Sequence, residues 1–186
     1  MIRKAAALAV LVIGSGAAWT TQASVIVLGS TRAHACMDAA FAGARDRTAI
    51  ATCTAALEEQ ALSPKDRAAT LVNRGVLLMN RLDFQAAFSD FDDATRINPK
   101  LGEAAFNRGS ALIALGRYSE GLVDIERGLQ LGVREPEKAY YNRAIAREEL
   151  DDPKGAYLDY RQAARLKPEW DLPRLELARF EVRQAQ

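Results

Sequence analysis

One phrase recurs three times along the chain and restricts the fold more than any other feature. Leu71-Val72-Asn73-Arg74-Gly75, Ala105-Phe106-Asn107-Arg108-Gly109 and Tyr140-Tyr141-Asn142-Arg143-Ala144 are versions of one sequence. Gly75 and Gly109 stand 34 positions apart, and Gly109 and Ala144 stand 35 apart. A fixed period of this size marks stacked helical hairpins. The rest of each unit keeps phase. A second small residue follows at Ala87, Gly121 and Ala156, a large one at Phe91, Ile125 and Tyr160, and a third small one at Ala94, Gly128 and Ala163. Antiparallel helices approach closely only where side chains are small. Glycine inside a helix costs up to about 1 kcal/mol relative to alanine, so its constant phase points to close packing that outweighs the cost.

The pattern resembles the tetratricopeptide repeat over residues 68–170, in three units of 68–101, 102–136 and 137–170. The expected fold is therefore all-α, a solenoid of antiparallel hairpins. Two units close on Asn98-Pro99 and Lys167-Pro168, while the middle one carries an extra residue near Val133–Pro136. The family's usual tryptophan is replaced by Leu71, Ala105 and Tyr140, and its leucine by Arg74, Arg108 and Arg143. The resemblance implies a binding module, whose first helices build a concave face for an extended peptide or a partner helix.

Helices are expected at 64–80, 84–97, 101–115, 118–131, 137–150 and 153–166. Ser63 is a suitable N-cap with Pro64 at the first helical position. Residues 36–67 read as a hairpin that has drifted from the repeat. Residues 171–186 read as a polar-backed helix that covers the last apolar face, as a solenoid requires.

The first 23 residues have the form of a secretory signal. Arg3 and Lys4 precede an apolar run from Ala5 to Ile13, and Thr21-Gln22-Ala23 offers small residues where signal peptidase reads. Cleavage after Ala23 would make the protein exported, with the periplasm as its compartment. An uncleaved anchor is the alternative, because Val25–Leu28 prolongs the apolar stretch, and it is the one expected route to a membrane. Residues 24–35 are expected to be an extended lead whose β-branched part needs something to cover it.

Export implies an oxidising compartment. Cys36 and Cys53 occupy facing places in the drifted hairpin, so a disulfide is expected between them. Buried free thiols and lipidation of Cys36 are the alternatives. Sixteen residues after Arg74, Arg108 and Arg143 stand Asp90, Asp124 and Asp159. That offset predicts three ion pairs, each within one hairpin. A row of arginines gripping an anionic ligand is the competing reading.

No catalytic residue or cofactor is expected. His34 is the single histidine and lies in the lead, so the body has no imidazole for a nucleophilic device. Two cysteines without a useful histidine do not complete a zinc site. The acids Glu148, Glu149, Asp151 and Asp152 gather at a helix C-terminus, as a solvated face or as a contact for a cation or basic peptide. Charge is balanced, 25 basic against 24 acidic residues, and no basic block suggests nucleic acid.

The expected partner is a protein or peptide, and the chain itself a monomer or weak dimer. On the face shared by the repeated asparagines, helical geometry places Val72, Asn73, Val76 and Met79, then Phe106, Asn107, Ser110 and Ile113, then Tyr141, Asn142, Ile145 and Glu148, with Lys138 at the mouth. Carboxamides carry donor and acceptor together and can match a peptide backbone. In peptide-holding relatives a lysine-rich clamp often grips a terminal carboxylate. Here Asn107 and Lys138 match it, but Val72 and Val76 replace its first lysine and asparagine, so that ligand is not expected. Two other functions stay open: a structural adaptor whose groove is filled by its own N-terminal segment or a second copy, and a small enzyme.

Overall fold

The computed structural model describes residues 24–26, 31–59 and 61–184. The stretch read as a secretory signal lies outside them. Among the described residues nine helices follow in order: α1 (Thr31–Phe41), α2 (Arg47–Glu59), α3 (Pro64–Asn80), α4 (Phe84–Ile97), α5 (Gly102–Ala114), α6 (Tyr118–Leu131), α7 (Pro136–Glu149), α8 (Pro153–Leu166) and α9 (Asp171–Gln184). None is long and apolar enough to cross a membrane. Each helix packs on its successor, and the stack of antiparallel hairpins forms an all-α solenoid.

Local chemistry sets the helix starts. Ser63 Oγ accepts from the Asp66 amide at 3.1 Å, with Pro64 in the first turn of α3. Asp152 Oδ1 accepts from the Gly155 amide at 2.9 Å at the start of α8. Such caps satisfy donors that the helix itself leaves open.

The first helix begins earlier than expected. The sequence predicts an extended lead through residue 35, yet α1 starts at Thr31. Ala33, Cys36 and Ala40 form one stripe, with exposures of 0%, 0% and 4%. Their spacing of three and four residues is helical, and burying the stripe favours helix in a stretch with weak local signals.

The turns inside the three repeats share a second phase. Leu82, Gly116 and Asp151 all adopt left-handed backbone, at φ of 65°, 77° and 60°. Glycine does so freely and aspartate tolerably, but for a leucine this region costs roughly 1–2 kcal/mol. The Leu82 side chain is 58% exposed, so little packing offsets that strain. Leu82→Gly is therefore expected to raise stability by about 1 kcal/mol. A denaturant midpoint that moves downward would show that the side chain packs more than its exposure implies.

The core changes character along the stack. Around α1 and α2 it is built mostly from alanines, Cys36 and Cys53, with Leu57 as a larger member. At the far end it is aromatic, with Tyr141, Tyr160 and Phe180. Helix α9 closes this end. Phe180 lies 5.9 Å from Tyr157 and 6.1 Å from Tyr160, and Trp170 just before α9 lies 4.9 Å from Tyr141.

Candidate binding groove

The first helices of the units, α1, α3, α5 and α7, touch one another in series. Among the described residues no comparable contact joins α2, α4, α6 and α8. Helices that stay together on one side and spread on the other make a curved stack, with the first helices inside.

The repeated arginines brace this stack. Arg74 Nε and Nη2 donate to the two oxygens of Asp90 at 2.8 and 2.7 Å. Arg108 does the same to Asp124 at 2.7 and 2.8 Å, and Arg143 to Asp159 at 2.8 and 2.7 Å. The remaining nitrogen of the first two turns to the preceding unit. Arg74 Nη1 reaches Thr54 Oγ1 on α2 at 3.1 Å, and Arg108 Nη1 reaches Asp92 and Thr95 on α4 at 2.8 and 3.0 Å. The planar fork of arginine allows this triple use, which a lysine would not.

The inner face is largely spent on packing. Val72, Met79, Phe106 and Asn107 have no exposed surface, and Val76, Tyr141 and Asn142 have 3%, 6% and 6%. Phe106 sits over α6, where a Cβ on Gly128 would meet its Cβ at 2.9 Å. Asn142 Nδ2 donates to Ser110 Oγ on α5 at 2.8 Å and so ties two units together. Ile113, Lys138 and Ile145 keep partial exposure, and Lys138 pairs with Glu135 at 2.8 Å.

Asn73 is engaged differently. Its Oδ1 accepts from the Val25 amide at 2.7 Å, and its Nδ2 donates to the Val25 carbonyl at 2.8 Å. One side chain thus takes both main-chain groups of a single residue, from a segment 48 positions earlier. Ser24 and Val25 are buried, at 7% and 5%, while Ile26 is 51% exposed. Val25 turned inward beside Ile26 turned outward is the opposition of neighbours found in extended chain.

The far end of the face is a polar latch. Glu148 accepts from Tyr160 Oη at 2.9 Å and from Arg179 at 2.8 Å, and Tyr141 Oη donates to Glu176 at 3.5 Å. These bonds give Glu148 partners on α8 and α9, and Asp152 serves as the cap of α8. Two of the four acids that close α7, Glu148 and Asp152, thus serve structural tasks.

Burial, followed by the nearby glutamates, raises the Tyr141 and Tyr160 hydroxyls well above the ordinary phenol value. A group that holds its proton more tightly when folded supports the fold fully below its unfolded pKa, near 10, and loses that support as pH rises beyond it. Stability is therefore expected to fall steeply above about pH 10. Tyr160→Phe removes an ionising group and should flatten the fall, while costing about 1 kcal/mol at neutral pH through the lost hydrogen bond. Denaturant melts between neutral pH and the alkaline limit check this; parallel curves for the two proteins would contradict it.

Similarity to known proteins agrees with this architecture. No family model matches the chain. A DnaJ homolog subfamily C member 7 homolog from Dictyostelium discoideum is 33% identical over 91 residues, which are 47% of this chain and 17% of that protein. The chain thus spans well under two thirds of that relative. Among solved structures, the first TPR of Spaghetti (RPAP3) bound to the HSP90 peptide SRMEEVD is 23% identical with a TM-score of 0.60, over 66% of this chain and 96% of that one. The Arabidopsis OM64 TPR domain is 22% identical with a TM-score of 0.59, over 63% and 96%. MamA from Desulfovibrio magneticus RS-1 is 20% identical with a TM-score of 0.63, over 84% and 87%. The fold is that of tetratricopeptide solenoids.

Proposed function

We propose that the chain is an exported protein-interaction module that holds an extended segment of a partner on the inner face of its solenoid. The observation that carries this reading is the carboxamide of Asn73 closed on the main chain of Val25. It is the chemistry that an extended ligand would use, on the face where the likeness to a peptide-bound tetratricopeptide domain leads one to look. Ile113, Lys138 and Ile145 are the groove positions with surface available to a ligand. The reading is non-catalytic: both cysteines are joined in a disulfide, so neither offers a thiol nucleophile. That buried disulfide also suits an oxidising compartment and so supports export, together with the N-terminal pattern.

Binding is expected in the micromolar range, about −8 kcal/mol. The test is to recover a partner with the tagged chain from its host and measure affinity with the purified pair. Ile145→Asp and Lys138→Glu should weaken it by roughly 10- to 100-fold, or 1–3 kcal/mol. Val123→Asp and Leu158→Asp, on the exposed outer surfaces of α6 and α8, should leave it unchanged. The reverse pattern would move the site to the outer face. Alkylation of the unreduced protein in a compartment fraction tests export; labelling at both cysteines would contradict it.

A second reading has its own support. The bonds between Asn73 and Val25 also suit an adaptor whose groove is filled by its own N-terminal segment.

A further inference from the structure

The two readings meet at one place on α3. Val25 is buried in the apolar cluster that includes Cys36, Ala40, Val72 and Val76, and its N–H and C=O are both taken by Asn73. The bonds are to main chain, so Asn73 does not read the valine side chain. Any extended residue with an N–H satisfies it, provided its side chain suits the apolar surroundings of Val25. Proline lacks the donor, and an acidic side chain would be desolvated there without compensation.

We propose that residues 24–26 are an intramolecular ligand of the first unit, which an incoming chain of the same chemistry must displace. The fitting competitor is a neutral extended segment with a small β-branched residue at the place of Val25. This rests on the reading that the inner face holds extended chain, and adds that its first position is occupied by the protein itself. Occupation is favoured by tethering. Only residues 27–30 separate the segment from α1, and a short connection of this kind gives an effective concentration on the order of millimolar. Against an external segment of micromolar intrinsic affinity, this amounts to weakening by roughly 100-fold or more.

The test uses the full chain and a labelled synthetic peptide with the sequence of residues 23–28. The native chain should bind it at least ten-fold more weakly than Val25→Asp, whose own segment no longer fits. A peptide with proline at the place of Val25 should not bind either protein. Asn73→Ala added to Val25→Asp should abolish binding while the melt of the repeats persists. If Val25→Asp fails to fold, hydrogen exchange on the native chain gives the same answer. The Val25 amide should be protected, and saturating peptide should release it.

Equal binding to native and Val25→Asp chains would overturn the self-ligand while leaving the inner face a peptide site. Absence of binding to both, or undiminished binding of the proline peptide, would overturn it as well. So would dimerisation of the native chain at the assay concentration, which would place the segment on a second copy. The partner measurements with Ile145→Asp and Lys138→Glu are read separately, so failure of the self-ligand and failure of the partner reading are distinguishable.

Discussion

Reduction of the Cys36–Cys53 disulfide is expected to lower stability by about 3 kcal/mol, with the loss concentrated in α1 and α2. The two cysteines are 17 residues apart, and closing a loop of that size in the unfolded chain accounts for the magnitude. The localisation follows from the core. Around the bridge the buried residues of α1 and α2 are mostly alanines, Ala33, Ala40, Ala49 and Ala56, with Leu57 the larger exception. An alanine offers one methyl group to burial, against the whole ring that Phe91 or Tyr160 supplies in later hairpins. The cross-link therefore supplies what side-chain volume does not. In a solenoid each unit interacts with its neighbours alone, so loss at one end does not spread evenly. Denaturant melts with and without reductant give the magnitude, and hydrogen exchange gives the location. Amides of α1 and α2 should open in reduced protein or in Cys53→Ala while those of α5–α8 keep their protection. A loss below about 1 kcal/mol, well short of the loop-closure value, or an even loss along the chain, would contradict the argument. Because Val25 packs in the same cluster, reduction should also loosen the segment on Asn73.

The regular part of the fold was legible because its signals are local and repeated. Small residues at constant phase place the helix crossings. Caps such as Ser63 and breakers such as Pro153 place the ends within a residue. The sixteen-residue offset from Arg74 to Asp90 follows from a turn of constant length, so it can be read along one hairpin. The third contact of Arg74 and Arg108 cannot, because the reach to Thr54 or Asp92 depends on how consecutive units are stacked. The start of α1 was missed for a related reason, since it depends on burial of Ala33 against other helices. The strain at Leu82 does have a signal in the sequence, because its phase matches Gly116 and Asp151. The groove was the least legible part. Helical geometry collects Val72, Asn73, Phe106 and Asn107 on one face, but cannot say whether that face meets solvent or the adjacent first helix. Here most of it meets protein. The extended stretch near Val25 and the amide of Asn73 were each visible alone, but nothing in the intervening 48 residues announces that they meet.

Replacing Gly109 by alanine is expected to cost about 1–3 kcal/mol, although alanine is the better helix former. Propensity alone favours the change by up to about 1 kcal/mol in the opposite direction, so the sign of the measured effect separates the two causes. The packing at this crossing leaves no room. A Cβ on Gly109 would lie 2.8 Å from the carbonyl oxygen of Gly121 and 3.0 Å from the amide nitrogen of Ile125. Both are backbone atoms of α6 and cannot rotate aside. The relation is mutual, since a Cβ on Gly121 would lie 2.8 Å from the carbonyl oxygen of Gly109. The crossing in the first unit differs: a Cβ on Gly75 would meet the ring of Phe91, a side chain, although a fully buried one. In the third unit Ala144 and Ala156 already carry methyl groups at the matching places, so Ala144→Gly serves as the control and should cost about 1 kcal/mol through propensity. Gly109→Ala and Gly121→Ala push on the same gap. Once the first has forced α5 and α6 apart the second finds space, and the double variant should lose less than the sum of the singles. Denaturant unfolding of the four proteins of the cycle measures this. A stabilised Gly109→Ala, or strictly additive losses, would mean that the two helices do not approach as closely as described.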